Sequence, residues 1–313
     1  MEHVKILAVN RRWDLPVLIT RQLGLPLVWV EKKIFADGEC WVRLPESVRG
    51  KRVFIIAENT PAEKLMVLLV MIDACRRASA AEINVVVPYF GWARQDRMKG
   101  RDPVTVKLVC NLIVQAGADR LLSMHLHFPQ LTSFVDIPWD HLYSAYAIID
   151  WARKQGKKFT VAGPDYGASP LADFVARKLD MPLAILRKKR PAHNQAKTSG
   201  IMGSVKNSDV LMVDDISDTV RTMIGGCEYL GELGARNIYL TATHGLLSAG
   251  GAKRIEECSR VKKVLITNTT PMTARKKSPK IERISVHDIF AKAINAIIRE
   301  ESVKDLFEKE LFA

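Results

Sequence analysis

VLMVDDISDTVRTM, residues 210–223, decides the reading of this chain. Val210, Leu211, Met212 and Val213 form an unbroken apolar run, the pattern of a parallel strand buried on both faces. Asp214 and Asp215 then fall at its carboxyl end, where open α/β sheets hold their ligands. Adjacent carboxylates there accept hydrogen bonds from two neighbouring sugar hydroxyls, or hold Mg²⁺. Residues 218–222 add Asp218, the hydroxyls of Thr219 and Thr222 and the first N–H groups of an expected helix, which together make a phosphate site. Diol and phosphate point to a ribose phosphate. The same string also reads as an acidic strand end whose Asp218 or Thr219 caps a helix.

Outward from this stretch the pattern repeats. Apolar runs recur at VKILAV, RVFIIA, INVVVPYF, RLLSMHL, FTVAGPD, IYLTATH and VKKVLITN, with helical periodicity between most of them. Such alternation is the sequence form of βαβ units and a parallel sheet. At 313 residues the chain is long for one core, so two doubly wound α/β domains are expected, divided near residue 145. Residues 60–80 carry the clearest helix start, with Thr60 as N-cap and Pro61 at the first helical position.

Charge and cysteines narrow the chemistry. Lys and Arg number 47 against 34 Asp and Glu, a net charge of +13 that favours anionic partners. The basic pairs are scattered and lack interleaved aromatics, which argues against a dedicated nucleic-acid surface. Five widely spaced cysteines without a CxxC read as free thiols in a reducing compartment. With no apolar run of membrane-spanning length and no signal-peptide core, a cytoplasmic protein is expected.

Four more groups of residues carry candidate chemistry. PYFGWARQDRM, residues 88–98, places Arg94 and Gln95 after a buried strand, suited to triphosphate and purine contacts, or to a salt-bridged loop. SMHLHF puts His125 and His127 two apart, hence on one face of a strand; with Asp165 of FTVAGPD they could hold Mg²⁺ or touch phosphate, or simply pack in a core. RKKRPAHNQAKTSG, residues 187–200, reads as a mobile basic loop that closes over a polyphosphate, or as a solvated face. FADGECWVRL, residues 35–44, gathers Phe35, Asp37 and Glu39 at a turn, an aromatic face with carboxylates that suits adenine.

In order, FADGE, ESVRG, DACRRASA, PYFGWARQDR, MHLH, GPD, KKRP and VDDISDT closely resemble the ribose-phosphate diphosphokinases over nearly the whole chain. The resemblance implies two phosphoribosyltransferase-like domains: residues 1–145, with helix 287–313 packing back on them, and residues 146–286, which carry the ribose-phosphate loop. It implies transfer of the diphosphoryl group of Mg-ATP to the 1-hydroxyl of ribose 5-phosphate, in a hexamer built from dimers. By matching position, Phe35, Asp37, Glu39, Arg94 and Gln95 would bind ATP, and His127 and Asp165 would hold Mg²⁺. Lys188, Arg190 and His127 would be catalytic; Asp214, Asp215, Asp218, Thr219 and Thr222 would bind ribose 5-phosphate. A weakly active or regulatory homologue and a phosphoribosyltransferase are the alternatives. The chain departs from the family pattern at Val220 and Arg221, where a small residue and Gly are usual. It departs also at His125, at Phe128 and Pro129, and at NRRWDLP, residues 10–16, where the family is Gly-rich.

Overall fold

The computed structural model describes residues 3–98, 100–192 and 195–303, apart from the side chains of 188–199. The described residues divide into two compact units, 3–143 with 287–303, and 144–286. Among the described residues no helix is long and apolar enough to cross a membrane.

The first unit contains β1 (Val4–Ala8), β2 (Leu27–Trp29), β3 (Glu31–Ile34), β4 (Cys40–Arg43), β5 (Arg52–Ile56), β6 (Glu82–Val86), β7 (Arg120–Met124) and β8 (Trp139–Leu142). Helices α1 (Asp14–Leu23), α2 (Ala62–Arg77) and α3 (Thr105–Ala116) connect them. Six strands form one parallel sheet in the order β2-β1-β5-β6-β7-β8, and β3 and β4 pair apart as an antiparallel hairpin. Central β5 is apolar after Arg52, and both β5 and β6 are buried beyond their first residue, Asn84 of β6 included, because helices cover both faces of such a sheet. Helix α2 buries Leu65, Leu68, Met71, Ile72 and Cys75, one face at helical spacing, and leaves Met66 exposed. Its N-cap position is Pro61, with no side-chain cap bond, so Thr60 does not cap it as expected.

The second unit contains α4 (Ala145–Lys154), β9 (Phe159–Gly163), α5 (Ser169–Leu179), β10 (Leu183–Ala192), β11 (Gln195–Met202), β12 (Asp209–Ser217), α6 (Arg221–Glu232), β13 (Ile238–Gly245), α7 (Gly251–Glu257), β14 (Val261–Thr267) and β15 (Ile281–Ile284). Its sheet runs β11-β10-β9-β12-β13-β14-β15, parallel except for the β10–β11 pair. Helix α8 (His287–Arg299) returns to the first unit and packs on α1, while Arg52 donates to the carbonyls of Ile297 and Ile298 at its end.

Two expectations are corrected here. The basic stretch 187–200 is not an irregular loop: its backbone forms the arms of an edge hairpin, pairing Lys188 with Thr198 and Lys189 with Lys197. Apolar Leu183–Leu186 carries the strand into the cations, and an edge hairpin needs no apolar alternation to continue. The side chains of Lys188 and Arg190 lie outside the described residues. Nor do His125 and His127 share a strand face, because β7 ends at Met124 and His125 turns at a φ of 45°.

Candidate active site

In the second unit the chain leaves β9 for β10 on one side and returns to β12 on the other, so β9 and β12 flank a topological switch point. Their pairing ends at Ala162 opposite Met212, whereas β12 continues beside β13 to Ser217. The two carboxylates therefore lie inside a strand that outruns its neighbour, rather than just past a strand end. Val210–Val213 are fully buried and hold this edge rigid, while Asp214 and Asp215 remain partly open. On β9, Asp165 follows two residues after the strand and accepts N–H bonds from Gly167 (3.0 Å) and Ala168 (3.2 Å).

The electrostatics of this edge are unfavourable without a ligand. Burial pushes the Asp214 carboxyl well above the usual carboxylate range, and the neighbouring Asp215 and Asp165 push it further the same way. Its Oδ1 accepts the Asp215 N–H at 2.9 Å, a smaller effect in the opposite direction. Three mutually repelling acids fit a cation or a set of hydroxyl donors. Among the described residues no three His, Cys, Asp or Glu converge closely enough to hold a metal ion alone, so an ion here needs further oxygen ligands, from water or from a bound molecule.

The turn into α6 completes the edge. Val220 occupies the position before the helix at φ 66°, ψ −11°, the left-handed region where a β-branched residue is strained. Its side chain is 3% exposed and packs in the core beside Met223 and Leu247. The Ser217 carbonyl accepts the N–H groups of Leu246 and Leu247, and Arg254 donates to the Thr219 carbonyl at 3.1 Å. A Cβ on Gly251 would lie 3.0 Å from Val220 Cγ2 and 3.1 Å from the Asp218 carbonyl, so any larger residue there would press on the turn. Thr219, Arg221 and Thr222 stay exposed, and among the described residues the buried Ser217 Oγ has no hydrogen-bond partner.

The remaining candidates lie in the first unit. Arg94 and Gln95 are exposed on the loop after β6. That loop hangs on Asn59, whose Oδ1 accepts the Gly91 N–H (2.8 Å) and whose carbonyl accepts Trp92 Nε1 (2.7 Å). A Cβ on Gly91 would meet Thr60 at 2.6 Å. Phe35 is 40% exposed at the β3–β4 turn, with Lys33 over its ring and Asp37 Oδ1 accepting the Glu39 N–H. His127 packs edge-on against Phe128 and is partly exposed, whereas His125 is buried near Tyr143. Leu126 N–H donates to His141 Nε2 at 2.8 Å, so His141 carries its proton on Nδ1, facing Tyr143 Oη at 3.0 Å. Asn59, His141 and Tyr143 escaped the sequence reading, because each acts on a segment distant in sequence.

The profile of the N-terminal domain of ribose phosphate pyrophosphokinase matches residues 4–117, and that of a phosphoribosyl synthetase-associated domain matches residues 140–308. A ribose-phosphate pyrophosphokinase from Caldanaerobacter subterraneus subsp. tengcongensis is 44% identical over 97% of this chain and 98% of its own. One from Chlorobaculum tepidum is 42% identical over 98% and 96%. The crystal structure of phosphoribosylpyrophosphate synthetase from Mycobacterium smegmatis superposes with a TM-score of 0.88 at 32% identity, covering 95% of this chain and 99% of that one. Sequence over both units and the fold agree: the chain belongs to the ribose-phosphate pyrophosphokinase family.

Proposed function

We propose that this chain transfers the diphosphoryl group of Mg-ATP to the 1-hydroxyl of ribose 5-phosphate, giving 5-phosphoribosyl 1-diphosphate and AMP. The observation that carries this is the carboxylate-lined edge of β12 running directly into a helix start, in a chain similar over its whole length to ribose-phosphate pyrophosphokinases. Asp214 and Asp215 accept the two ribose hydroxyls, and each donated O–H offsets part of the repulsion that raises Asp214. Asp218, Thr219 and Thr222 surround the 5-phosphate, with backbone N–H groups at the start of α6 as donors.

ATP falls to residues of the first unit. Phe35 stacks on adenine, Asp37 and Glu39 accept from its exocyclic amine, and Arg94 and Gln95 contact the phosphates and purine. Lys188 and Arg190 neutralise charge that builds on the transferred group, by resemblance to the family. The 1-hydroxyl oxygen bonds to the β-phosphorus as the bond from that phosphorus to the α,β-bridging oxygen breaks. Such displacement needs positioning and positive charge more than a strong base. His127 and Asp165 would hold Mg²⁺ together with substrate oxygens, and Mg²⁺ when bound screens the phosphate charge.

A homo-oligomer, by resemblance a hexamer built from dimers, suits the β3–β4 hairpin, where Ile34, Phe35 and Trp41 are all at least 40% exposed. A cytoplasmic location suits five free cysteines, of which buried Cys75 and Cys110 have thiols pushed up to about 12 by desolvation. The test is AMP release from ATP, Mg²⁺ and ribose 5-phosphate, with one AMP expected per phosphoribosyl diphosphate. No AMP would point to the regulatory homologue that strained Val220 favours; nucleotide made from base and phosphoribosyl diphosphate would mark a transferase.

A further inference from the structure

The first unit has a switch point of its own. Strand β1 sits between β2 and β5, so the chain leaves it on one side and returns on the other, as it does around β9 in the second unit. Crevices at the carboxyl ends of strands at such points are where open α/β sheets bind ligands. A cavity of about 380 Å³ opens there, within the range of small-molecule sites. None of its lining residues belongs to the substrate or metal assignments above.

The lining has two characters. One wall is apolar, with Val9, Ile56, Val67 and Leu68. The other carries Arg11, Arg12, Lys32 and Lys64 against Glu58 and Glu63, an excess of two positive charges. Glu58 is already engaged, accepting from Lys64 and from Asn10 Nδ2 at 2.8 Å. Among the described residues Arg11, Arg12 and Lys32 make no ion pair; Arg11 lies over the Trp29 ring at 5.1 Å. Arg11 and Arg12 both line the cavity, guanidinium forks suit a tetrahedral oxyanion, and the charge excess matches a dianion. Arg11 and Arg12 belong to the NRRWDLP segment, one of the places where this chain departs from its family.

We propose that this crevice is a second anion site, which binds a phosphomonoester carrying a small apolar body. The phosphate sits on Arg11, Arg12 and Lys32, and the body lies along Val67 and Leu68. Phenyl phosphate is the probe, titrated calorimetrically into the full chain with the catalytic site filled by ribose 5-phosphate and α,β-methylene-ATP, whose α,β link cannot be cleaved.

One phenyl phosphate is expected per chain, bound more tightly than inorganic phosphate. Arg11→Ser with Arg12→Ser should weaken it by about tenfold or more, since both lost contacts are charge-assisted. Melting temperature and AMP release without the probe should stay unchanged. Arg153→Ser with Lys253→Ser, an equal charge change in the second unit, should leave the affinity unaltered, as should Asp214→Asn with Asp215→Asn. Those carboxylate variants separate this site from the catalytic one, because binding there is read without turnover. The proposal is overturned by the absence of saturable binding, by undiminished binding in the Arg11 and Arg12 variant, by equal loss in the control pair, or by inorganic phosphate binding as tightly as the probe.

Discussion

Replacing Val220 tests the strained turn before α6. At φ 66° an L-residue costs about 1–2 kcal/mol, and a β-branched one lies at the upper end. Its burial at 3% exposure offsets this, at about 0.8 kcal/mol per methyl or methylene group. Val220→Ala loses two such groups, about 1.6 kcal/mol, and keeps most of the strain. Val220→Gly loses a third, about 0.8 kcal/mol more, but is relieved of the 1–2 kcal/mol of strain. The Gly variant should therefore be at least as stable as the Ala variant, with Ala about 1.6 kcal/mol and Gly about 0.4–1.4 kcal/mol below the parent. At a helical site with ordinary φ the order is reversed, Ala leading by about 1 kcal/mol. Thermal melts followed by circular dichroism resolve the difference, because 1 kcal/mol shifts a unit of this size by about 2–4 °C. Glycine also lets the N–H groups of Arg221 and Thr222 approach the phosphate, so the KM for ribose 5-phosphate should fall about fivefold for each 1 kcal/mol gained. A Val220→Ala protein that melts several degrees above Val220→Gly would refute the reasoning.

Asp214→Asn should raise the melting temperature of the ligand-free protein at neutral pH while weakening ribose 5-phosphate binding. The folded carboxyl titrates above its unfolded value, so its favourable contribution is full below the unfolded pKa and is lost as pH rises through the folded pKa. The gain from Asn must then shrink as pH falls toward the ordinary carboxylate range, and a variant that melts below the parent at pH 7 contradicts this. Lys188→Ala and Arg190→Ala should each lower kcat by about two orders of magnitude or more with the fold intact; parental turnover in the double variant would remove these cations from the chemistry. Phe35→Ala should weaken ATP by about 1–3 kcal/mol, measured by equilibrium binding, and an ATP affinity indifferent to residue 35 would move the adenine site elsewhere.

Local sequence determined the class of fold because each central strand of a parallel sheet is buried on both faces and is therefore mostly apolar. All eight such runs are strands, from β1 to β14, and the alternation with helices fixes them as parallel. Edge and hairpin elements carry no such signature. β3 is wholly exposed, β15 is only partly buried, and β10 runs into a string of cations, so each is a strand through the neighbour it pairs with rather than through an apolar run of its own.

The site divides along the same line. Asp214, Asp215 and the hydroxyls of Thr219 and Thr222 were legible because strand, carboxylates and helix start are consecutive. The repulsion from Asp165 onto Asp214 was not, since it depends on β9 lying beside β12. The inward turn of His125 depends on the Leu142 carbonyl that accepts its N–H at 2.7 Å, and the bond from Leu126 to His141 spans 15 residues. The crevice beside β1 exists only through strand order. Its residues come from four separate segments, and periodicity within a segment carries no information about which other segment will lie next to it.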